Sequence, residues 1–172
     1  MERWVSRVHA FALVLACMVL VPACHIEIDD QRAHRVNDDA QAEQAVLRTV
    51  RSYYDALSSL DSTAFLAHFW PGADVTTRWQ PPGTDSVRIQ ILPVEDFVRR
   101  WPEGPGSRAV FEERMLEAEV RLRGDLAQAW VHYAARFGDS SDVQEWRGID
   151  AFTLIRHVGT WRIVELAFVP DP

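Results

Sequence analysis

The chain has 172 residues, of which 48% are hydrophobic and 25% charged, and its formal net charge is −7. This composition is typical of one soluble globular domain and excludes disorder over most of the chain. Because phosphate contacts need clustered positive charge, an acidic chain without a basic run is not expected to bind nucleic acid. With only two cysteines, a scaffold held by several disulfides or by cysteine-bound zinc is excluded.

The N-terminus has the pattern of an export signal. Arg3 and Arg7 precede an apolar stretch over residues 8–21, and a small residue, Ala23, stands before Cys24. The stretch is shorter than the ~20 apolar residues of a comfortable membrane span. Residues 21–24 (Val-Pro-Ala-Cys) resemble a bacterial lipobox, whose cysteine becomes the lipidated first residue of the mature protein.

The domain boundaries follow from this signal. We expect residues 1–23 to be a signal peptide of the lipoprotein type and Cys24 to carry the lipid anchor, with Cys17 as the alternative processing site. Residues 24–39 are polar without a sustained period and are expected to form a flexible tether. Residues 40–172 are expected to form a single domain. The protein is then exported, either anchored to a membrane by its lipid or free in the periplasm.

The first half of this domain is predicted to hold three helices. Apolar residues recur at three- and four-residue steps over residues 46–57, and Asp38 is a suitable cap for this helix. Asp61 caps a second short helix over residues 62–69, and Pro93 opens a third.

Strand patterns dominate the rest of the chain. Leu116, Ala118, Val120 and Leu122 alternate with charged residues, and a Gly-Asp turn follows them. Long strands joined by short turns predict an antiparallel meander, and helices gathered ahead of it predict an α+β fold. The predicted strands cover residues 73–79, 87–92, 116–122, 127–137, 149–157 and 161–169.

Several segments of the domain carry a family resemblance. They are Tyr53–Leu57, Ala64–Phe69, Pro93–Phe97, Phe111–Met115, Gly148–Arg156 and Trp161–Val164. With them the chain resembles the nuclear transport factor 2-like (SnoaL-like) superfamily over residues 40–169, most closely its bacterial putative lumazine-binding-like branch. The resemblance implies a cone-shaped α+β fold in which three N-terminal helices pack on a curved, mainly antiparallel sheet. This fold hosts isomerases, cyclases, dehydratases, hydrolases and association modules, so it does not specify an activity.

Two departures from the family pattern matter for function. Relatives in that branch often have a His-Cys pair before the Gly-Val-Asp-Ala-Phe segment, where this chain has Trp146 and Arg147. Steroid isomerases of the superfamily use an aspartate base after the second helix, and the nearest position here is Arg78, which stays protonated. The resemblance therefore implies no catalytic residue in this chain.

The predicted strand over residues 127–137 provides one candidate ligand contact, Tyr133. Tyr133 shares a strand face with Ala129 and Val131, and this apolar face is predicted to belong to the core. The small alanine side chains either leave room for a cavity or are covered by side chains of the helices. Tyr54, on the apolar stripe of the first helix, either turns its hydroxyl into that cavity or is a core aromatic residue.

Three further candidates lie close to predicted loops or on a late strand. Trp79 and Trp146 border either the mouth of a pocket or a subunit interface. Asp150 is a carboxylate on an apolar strand. It is either an acid–base group with a shifted pKa or the ion-pair partner of Arg136 or Arg156, and we expect the ion pair.

The opposite face of the strand over residues 127–137 has the composition of an interface. It presents Trp130, His132 and Arg136, and aromatic residues and arginine are enriched where subunits meet. Relatives commonly dimerise through the outer face of the sheet, so a homodimer through Trp130 and His132 is expected. His132 is also a possible general base, although its parity places it away from the apolar face.

Two functions from different classes remain open. The first is an exported, lipid-anchored module that binds a small apolar or aromatic ligand or serves association. The alternative is a SnoaL-like isomerase, cyclase or hydrolase that uses Asp150, Tyr54 or His132 in the cone. A polar pocket with an ionisable group at its floor favours the alternative. No cofactor is predicted, and no His-x-x-x-His pair or carboxylate-rich loop suggests a metal.

Overall fold

The computed structural model describes residues 21–79 and 85–171, with the side chains of residues 21–35 and of Trp79 left out. The chain divides into two compact units, of which the first ends at Gln41 and the second begins at Ala42. Residues 80–84, between two predicted strands, and residues 1–20 of the predicted signal lie outside the described residues. Within the described part of the chain, no helix combines the length and the apolar character that crossing a membrane requires.

Helix α1 is longer than the sequence pattern predicts. It spans Val21–Ser58, so it begins well before Asp38 and includes residues 24–39, where a flexible tether was expected. The backbone of this segment is helical, and its role as a tether stays a prediction. No glycine or proline occurs between Ala23 and Pro71, so nothing in the sequence interrupts the helix before its last turn.

The remaining described elements belong to the second unit. A short capped helix, six strands, another short helix and two turns of 3₁₀ helix follow α1. They are α2 (Ser62–Leu66), β1 (Phe69–Trp79), β2 (Arg88–Pro93), α3 (Val94–Arg99), 3₁₀ turns Trp101–Glu103 and Pro105–Ser107, β3 (Val110–Arg123), β4 (Leu126–Asp139), β5 (Asp142–His157) and β6 (Thr160–Pro170).

The six strands form one sheet in the order β2-β1-β6-β5-β4-β3. Only β1 and β6 pair in parallel, and every other pair is antiparallel. The predicted α+β class with a mainly antiparallel sheet is confirmed. Because β1 pairs with β6, the last two strands of the chain, β5 and β6, lie at the centre of the sheet.

One face of this sheet is covered by helices, as the alternation on β4 predicts. Ala129, Val131 and Tyr133 are buried, whereas Trp130 keeps 51% of its surface exposed and His132 is exposed as well. Side chains alternate in direction along a strand, so this pattern separates an inner face from an outer face. Trp161 and Ile163 of β6 are buried on the inner face.

Aromatic rings join the C-terminal half of α1 to the inner face. The ring centre of Tyr53 lies 5.1 Å from that of Phe65 and 5.1 Å from that of Phe152. Phe65 of α2 in turn lies 4.9 Å from Trp101. The contacts of Tyr53 with Phe152 and of Phe65 with Trp101 are edge-to-face and add to the stabilisation from burial. The contact of Tyr53 with Phe152 joins α1 to β5.

A bulge in β3 changes the face of one predicted core residue. The pairing of β3 with β4 shifts between Met115 and Glu117, and Leu116 is 39% exposed. An extra residue in one strand reverses the alternation, so Met115 and Ala118 both pack against the core. The prediction that Leu116 shares a face with Ala118 is therefore wrong.

Candidate functional site

A cavity of about 460 Å³ opens between the inner face of the sheet, α3 and the 3₁₀ turns. Its size falls within the range of small-molecule sites. Most of its wall is apolar, and five aromatic side chains contribute to it. The aromatic residues are Phe97, Trp101, Tyr133, Trp146 and Phe168, and the other lining residues include Val75, Thr77, Gln90, Leu92 and Glu113.

Asp150 lies on the inner face of β5, between the strands that form the wall of this cavity. In the register of the sheet it stands beside Val131 of β4 and Phe168 of β6. Asp150 is 2% exposed and is the one buried charged residue among the described residues. The Tyr54 hydroxyl of α1 donates a hydrogen bond to its Oδ2 atom. Burial raises the pKa of Asp150 to about 7, and the hydrogen bond from Tyr54 partly offsets that rise.

The ion pair expected for Asp150 is absent from the described residues. Arg136 pairs with Glu112 at 3.3 Å and with Glu145 at 3.0 Å, and Arg156 pairs with Asp125 at 2.7 Å. Arg136 lies on the outer face, and Arg156 lies near the end of β5, where its partner Asp125 belongs to the turn between β3 and β4. The expectation of an ion pair is wrong, and Asp150 has a phenol as its partner.

Glu113 provides a second carboxyl group, and it lines the cavity itself. Glu113 is half-buried, and its desolvation together with the negative charge of Asp150 raises its pKa to about 8. No positively charged group in the described part of the chain lowers the pKa of either carboxyl group. The two groups therefore hold protons at pH values where most carboxyl groups are ionised.

The end of α1 positions Glu113. Its backbone N–H donates to the Ser58 hydroxyl oxygen at 2.8 Å, and the Ser58 hydroxyl donates to its carbonyl oxygen at 2.7 Å. Strand alternation places Phe111, Glu113 and Met115 on the inner face before the bulge. Sequence analysis missed Glu113 because the predicted strand began at Leu116. Extending the alternation of Leu116 and Ala118 backward would have placed Glu113 on the outer face, because the bulge between Met115 and Glu117 reverses it.

Tyr133 and Trp146 form the wall of the cavity beside β5. A Cβ atom on Gly148 would lie 2.5 Å from the Tyr133 ring and 2.5 Å from the carbonyl oxygen of Val169. Only a glycine leaves room for the ring of Tyr133 over β5. The Trp146 side chain hydrogen-bonds to Tyr133, but burial and the charges of Asp150 and Glu113 raise the Tyr133 pKa above its ordinary value.

Trp101 contributes an unpaired donor to the site. Its side chain is 5% exposed, and its Nε1 atom is the one buried side-chain nitrogen or oxygen without a hydrogen-bond partner among the described residues. A buried N–H group without a partner is unfavourable. Because Trp101 also lines the cavity, a bound molecule with an acceptor atom can supply the missing partner.

The structure brings four of the five predicted ligand contacts into one region. Tyr133 and Trp146 line the cavity, whereas Tyr54 and Asp150 are hydrogen-bonded to each other in the core beside it. The side chain of Trp79 lies outside the described residues. Ligand binding by all five stays a prediction. Within the described part of the chain, no group of three or more metal-ligating side chains is placed to hold a metal ion.

Comparisons with known proteins agree with this fold. Residues 41–169 match the model of a family described as "Putative lumazine-binding". That match covers most of the chain, so the protein belongs to this family, within the nuclear transport factor 2-like superfamily that its sequence resembles. No curated protein matches the chain.

Solved structures with the same fold come from several bacteria. A putative scytalone dehydratase from Novosphingobium aromaticivorans is 13% identical, with a TM-score of 0.64 over 80% of this chain and 89% of that one. A nuclear transport factor 2-like protein from Salmonella enterica is 11% identical, with a TM-score of 0.62 over 78% and 94%. A conserved protein from Planctomyces limnophilus is 18% identical, with a TM-score of 0.62 over 77% and 99%. At these identities the likeness concerns the fold alone.

Proposed function

We propose that the domain binds a small, largely aromatic organic molecule in the cavity. The observation that carries this proposal is the combination of five aromatic lining residues with an unpaired Trp101 N–H group and the Glu113 carboxyl group. Apolar walls with a few placed polar groups are typical of small-molecule sites. The family description agrees with a planar, bicyclic ligand of the size of lumazine.

The first experiment measures binding of lumazine and related pteridines to the full-length protein by calorimetry. Trp101→Phe removes the N–H donor and keeps an aromatic ring, so affinity is expected to fall about tenfold, as for one lost hydrogen bond. Trp130→Phe makes the same chemical change on the outer face and is the matched control. Native mass spectrometry of the purified protein adds a search for a co-purified ligand. If no compound occupies the cavity in either measurement, the proposal is wrong.

A second candidate function is catalysis in the same cavity. The observation that favours it is that Glu113 lines the cavity and has a raised pKa. A general acid or base works best with a pKa close to the operating pH. Tyr54 and Asp150 are hydrogen-bonded to each other, and His132 lies on the outer face. Among these candidates only Glu113 lines the cavity. A catalyst would convert a bound compound to a product that mass spectrometry detects over time, and Glu113→Gln would abolish that conversion.

We also propose a homodimer through the outer face of the sheet. The register aligns Trp130, Ala151 and Ala167 across β4, β5 and β6, and continues through Thr76 to Ile91 of β2. These five residues are named here the outer band. Trp130 is 51% exposed and Ile91 64%, and apolar surface of this kind favours a subunit interface.

The chain is further proposed to be exported and anchored through lipid on Cys24. Support comes from the charged, apolar and small-residue segments that precede this cysteine. The side chain of Cys24 and the whole of Cys17 lie outside the described residues. An anchored domain would present its cavity to small molecules outside the cytoplasm.

A further inference from the structure

We propose that the ligand of the cavity carries a positively charged nitrogen, a protonated amine or a protonated heterocycle, and that this nitrogen is paired with Glu113 while the aromatic walls surround the rest. This inference rests on the proposed small-molecule function and specifies the chemical class of the ligand.

The first argument is the absence of a counter-charge within the described part of the chain. Glu113 and Asp150 share one side of the core, and Asp150 has only the neutral Tyr54 hydroxyl as a hydrogen-bond partner. Buried carboxylates are ordinarily paired with a cation or kept neutral by a proton. The group that completes the pairing of Glu113 can reach it through the cavity that Glu113 lines.

The second argument is the nature of the walls. Phe97 lies in ring contact with both Trp101 and Phe168, at centre distances of 6.5 and 6.3 Å. Tyr133 and Trp146 complete the aromatic lining. The faces of aromatic rings carry partial negative charge and attract organic cations. The aromatic rings and the Glu113 carboxyl group favour a positively charged group beside Glu113, although Arg78 and Arg100 also line the cavity.

The other ionisable groups around Glu113 do not supply this charge. Tyr53 and Tyr54 of α1, Tyr133 of β4 and Asp150 of β5 are neutral or acidic. Arg78 and Arg100 line the cavity but are exposed, and neither lowers the pKa of Glu113. Solvent screens the charges of these exposed arginines, so neither is counted as the partner of the Glu113 carboxyl group.

The test uses three probes of one shape and different charge: phenethylamine, phenethyl alcohol and phenylacetate. Their affinities for the full-length protein are measured by calorimetry at about pH 8, where about half of the Glu113 groups are ionised. The amine is expected to bind about tenfold more tightly than the alcohol, and phenylacetate more weakly than either. Glu113→Gln should abolish the preference for the amine over the alcohol.

Glu112→Gln is the matched control for this variant. Glu112 is the preceding residue of β3 and pairs with Arg136 on the outer face, so its loss should not affect any probe. The pH dependence of the wild type gives a second measurement if Glu113→Gln does not fold. A cation must displace the Glu113 proton, so amine affinity should rise between about pH 6 and about pH 8, by up to about tenfold per pH unit, while alcohol affinity stays constant.

The outcomes separate this inference from the function on which it rests. Equal binding of amine and alcohol, or tighter binding of phenylacetate, contradicts a cationic ligand but supports a small-molecule site. An amine preference that survives in Glu113→Gln also contradicts the inference, because the charge is then recognised elsewhere. If none of the three probes binds, both the inference and the proposed function are contradicted.

Discussion

Asp150 and Glu113 show how burial changes the chemistry of a common side chain. Both are carboxyl groups on the inner face of a sheet, and both lack a positively charged partner within the described residues. Desolvation disfavours their charged forms, so their pKa values rise to about 7 and about 8. Two residues of an ordinary type thereby become groups that titrate near neutral pH.

The raised pKa values predict how stability depends on pH. Below about pH 4 both groups are protonated in the folded and the unfolded chain, and their contribution is fully present. Between about pH 4 and about pH 8 only the folded chain retains the protons, so the free energy of unfolding decreases as pH rises, by at most about 1.4 kcal/mol per pH unit for each group. Glu113→Gln should make the decrease shallower, as measured by urea unfolding at several pH values. An unchanged slope in Glu113→Gln, equal to that of Glu112→Gln, would contradict the raised pKa.

Trp161 tests the assignment of the inner face at a single residue. Its side chain is 3% exposed, and the Arg156 guanidinium lies 5.5 Å from its ring centre. Trp161→Ala is expected to lower the free energy of unfolding by about 3–5 kcal/mol, the usual cost of removing a buried aromatic side chain. Trp70→Ala, at a position that is 42% exposed, should cost less than about 1 kcal/mol. Similar losses in the two variants would show that Trp161 is not in the core.

At the scale of elements, the two-residue turn between β5 and β6 contains one residue that favours its backbone angles and one that does not. Val158 has φ = 47° and Gly159 has φ = 77°, a pair of positive angles that matches the tight turn favoured between twisted strands. Gly159 adopts this conformation without strain, but Val158 is β-branched and is disfavoured there. Val158 is also 89% exposed, so it gains nothing from burial.

Replacing Val158 should therefore stabilise the protein. Val158→Asn is expected to raise the free energy of unfolding by about 0.5–1 kcal/mol, because Asn-Gly is a preferred sequence for this turn. Gly159→Ala should have the opposite effect, since alanine is strained at a positive φ. Both changes are measured by denaturant unfolding. A loss of stability in Val158→Asn would mean that the valine makes a contact that outweighs its strain.

For the molecule as a whole, the outer band raises the question of assembly. A sheet with helices on one side leaves the other side to water or to a second subunit, and Trp130 and Ile91 are unfavourable in water. A two-fold contact would bring the outer bands of two copies together.

The predicted dimer is tested by cross-linking and light scattering of the full-length protein in detergent. Trp130→Glu places a charge in the outer band and should convert the dimer to a monomer. Val158→Glu, at an exposed turn outside the band, is the control and should remain dimeric. A wild-type monomer at micromolar concentration, or a dimeric Trp130→Glu variant, would rule out this interface.

The export prediction concerns the chain as a whole as well. Cys24→Ser removes the thiol that a lipid would modify, so the protein should move from the membrane fraction to the soluble fraction of cells. Cys17→Ser is the matched control and should stay in the membrane fraction. If both variants remain in the membrane with the signal uncleaved, the N-terminal segment is an anchor and not a lipoprotein signal.

The sequence by itself determined the fold class and the face on which most strand residues lie. Alternation on β4 and the apolar stripe of α1 predicted Val131, Tyr133, Tyr53 and Tyr54 as inward, because the direction of a side chain depends on the local backbone. Leu116 was the exception, since a bulge depends on pairing with another strand and leaves no reliable mark in one strand's own sequence.

Only the tertiary structure decided which of these residues meet. Tyr54 and Asp150 are 96 positions apart, and Ser58 and Glu113 are 55 apart, yet each pair is joined by hydrogen bonds. Such contacts depend on strand register and on where α1 crosses the sheet, which local periodicity does not encode. The sequence could therefore suggest Asp150 as an ionisable residue, but its burial, its phenolic partner and its nearness to Glu113 are consequences of packing.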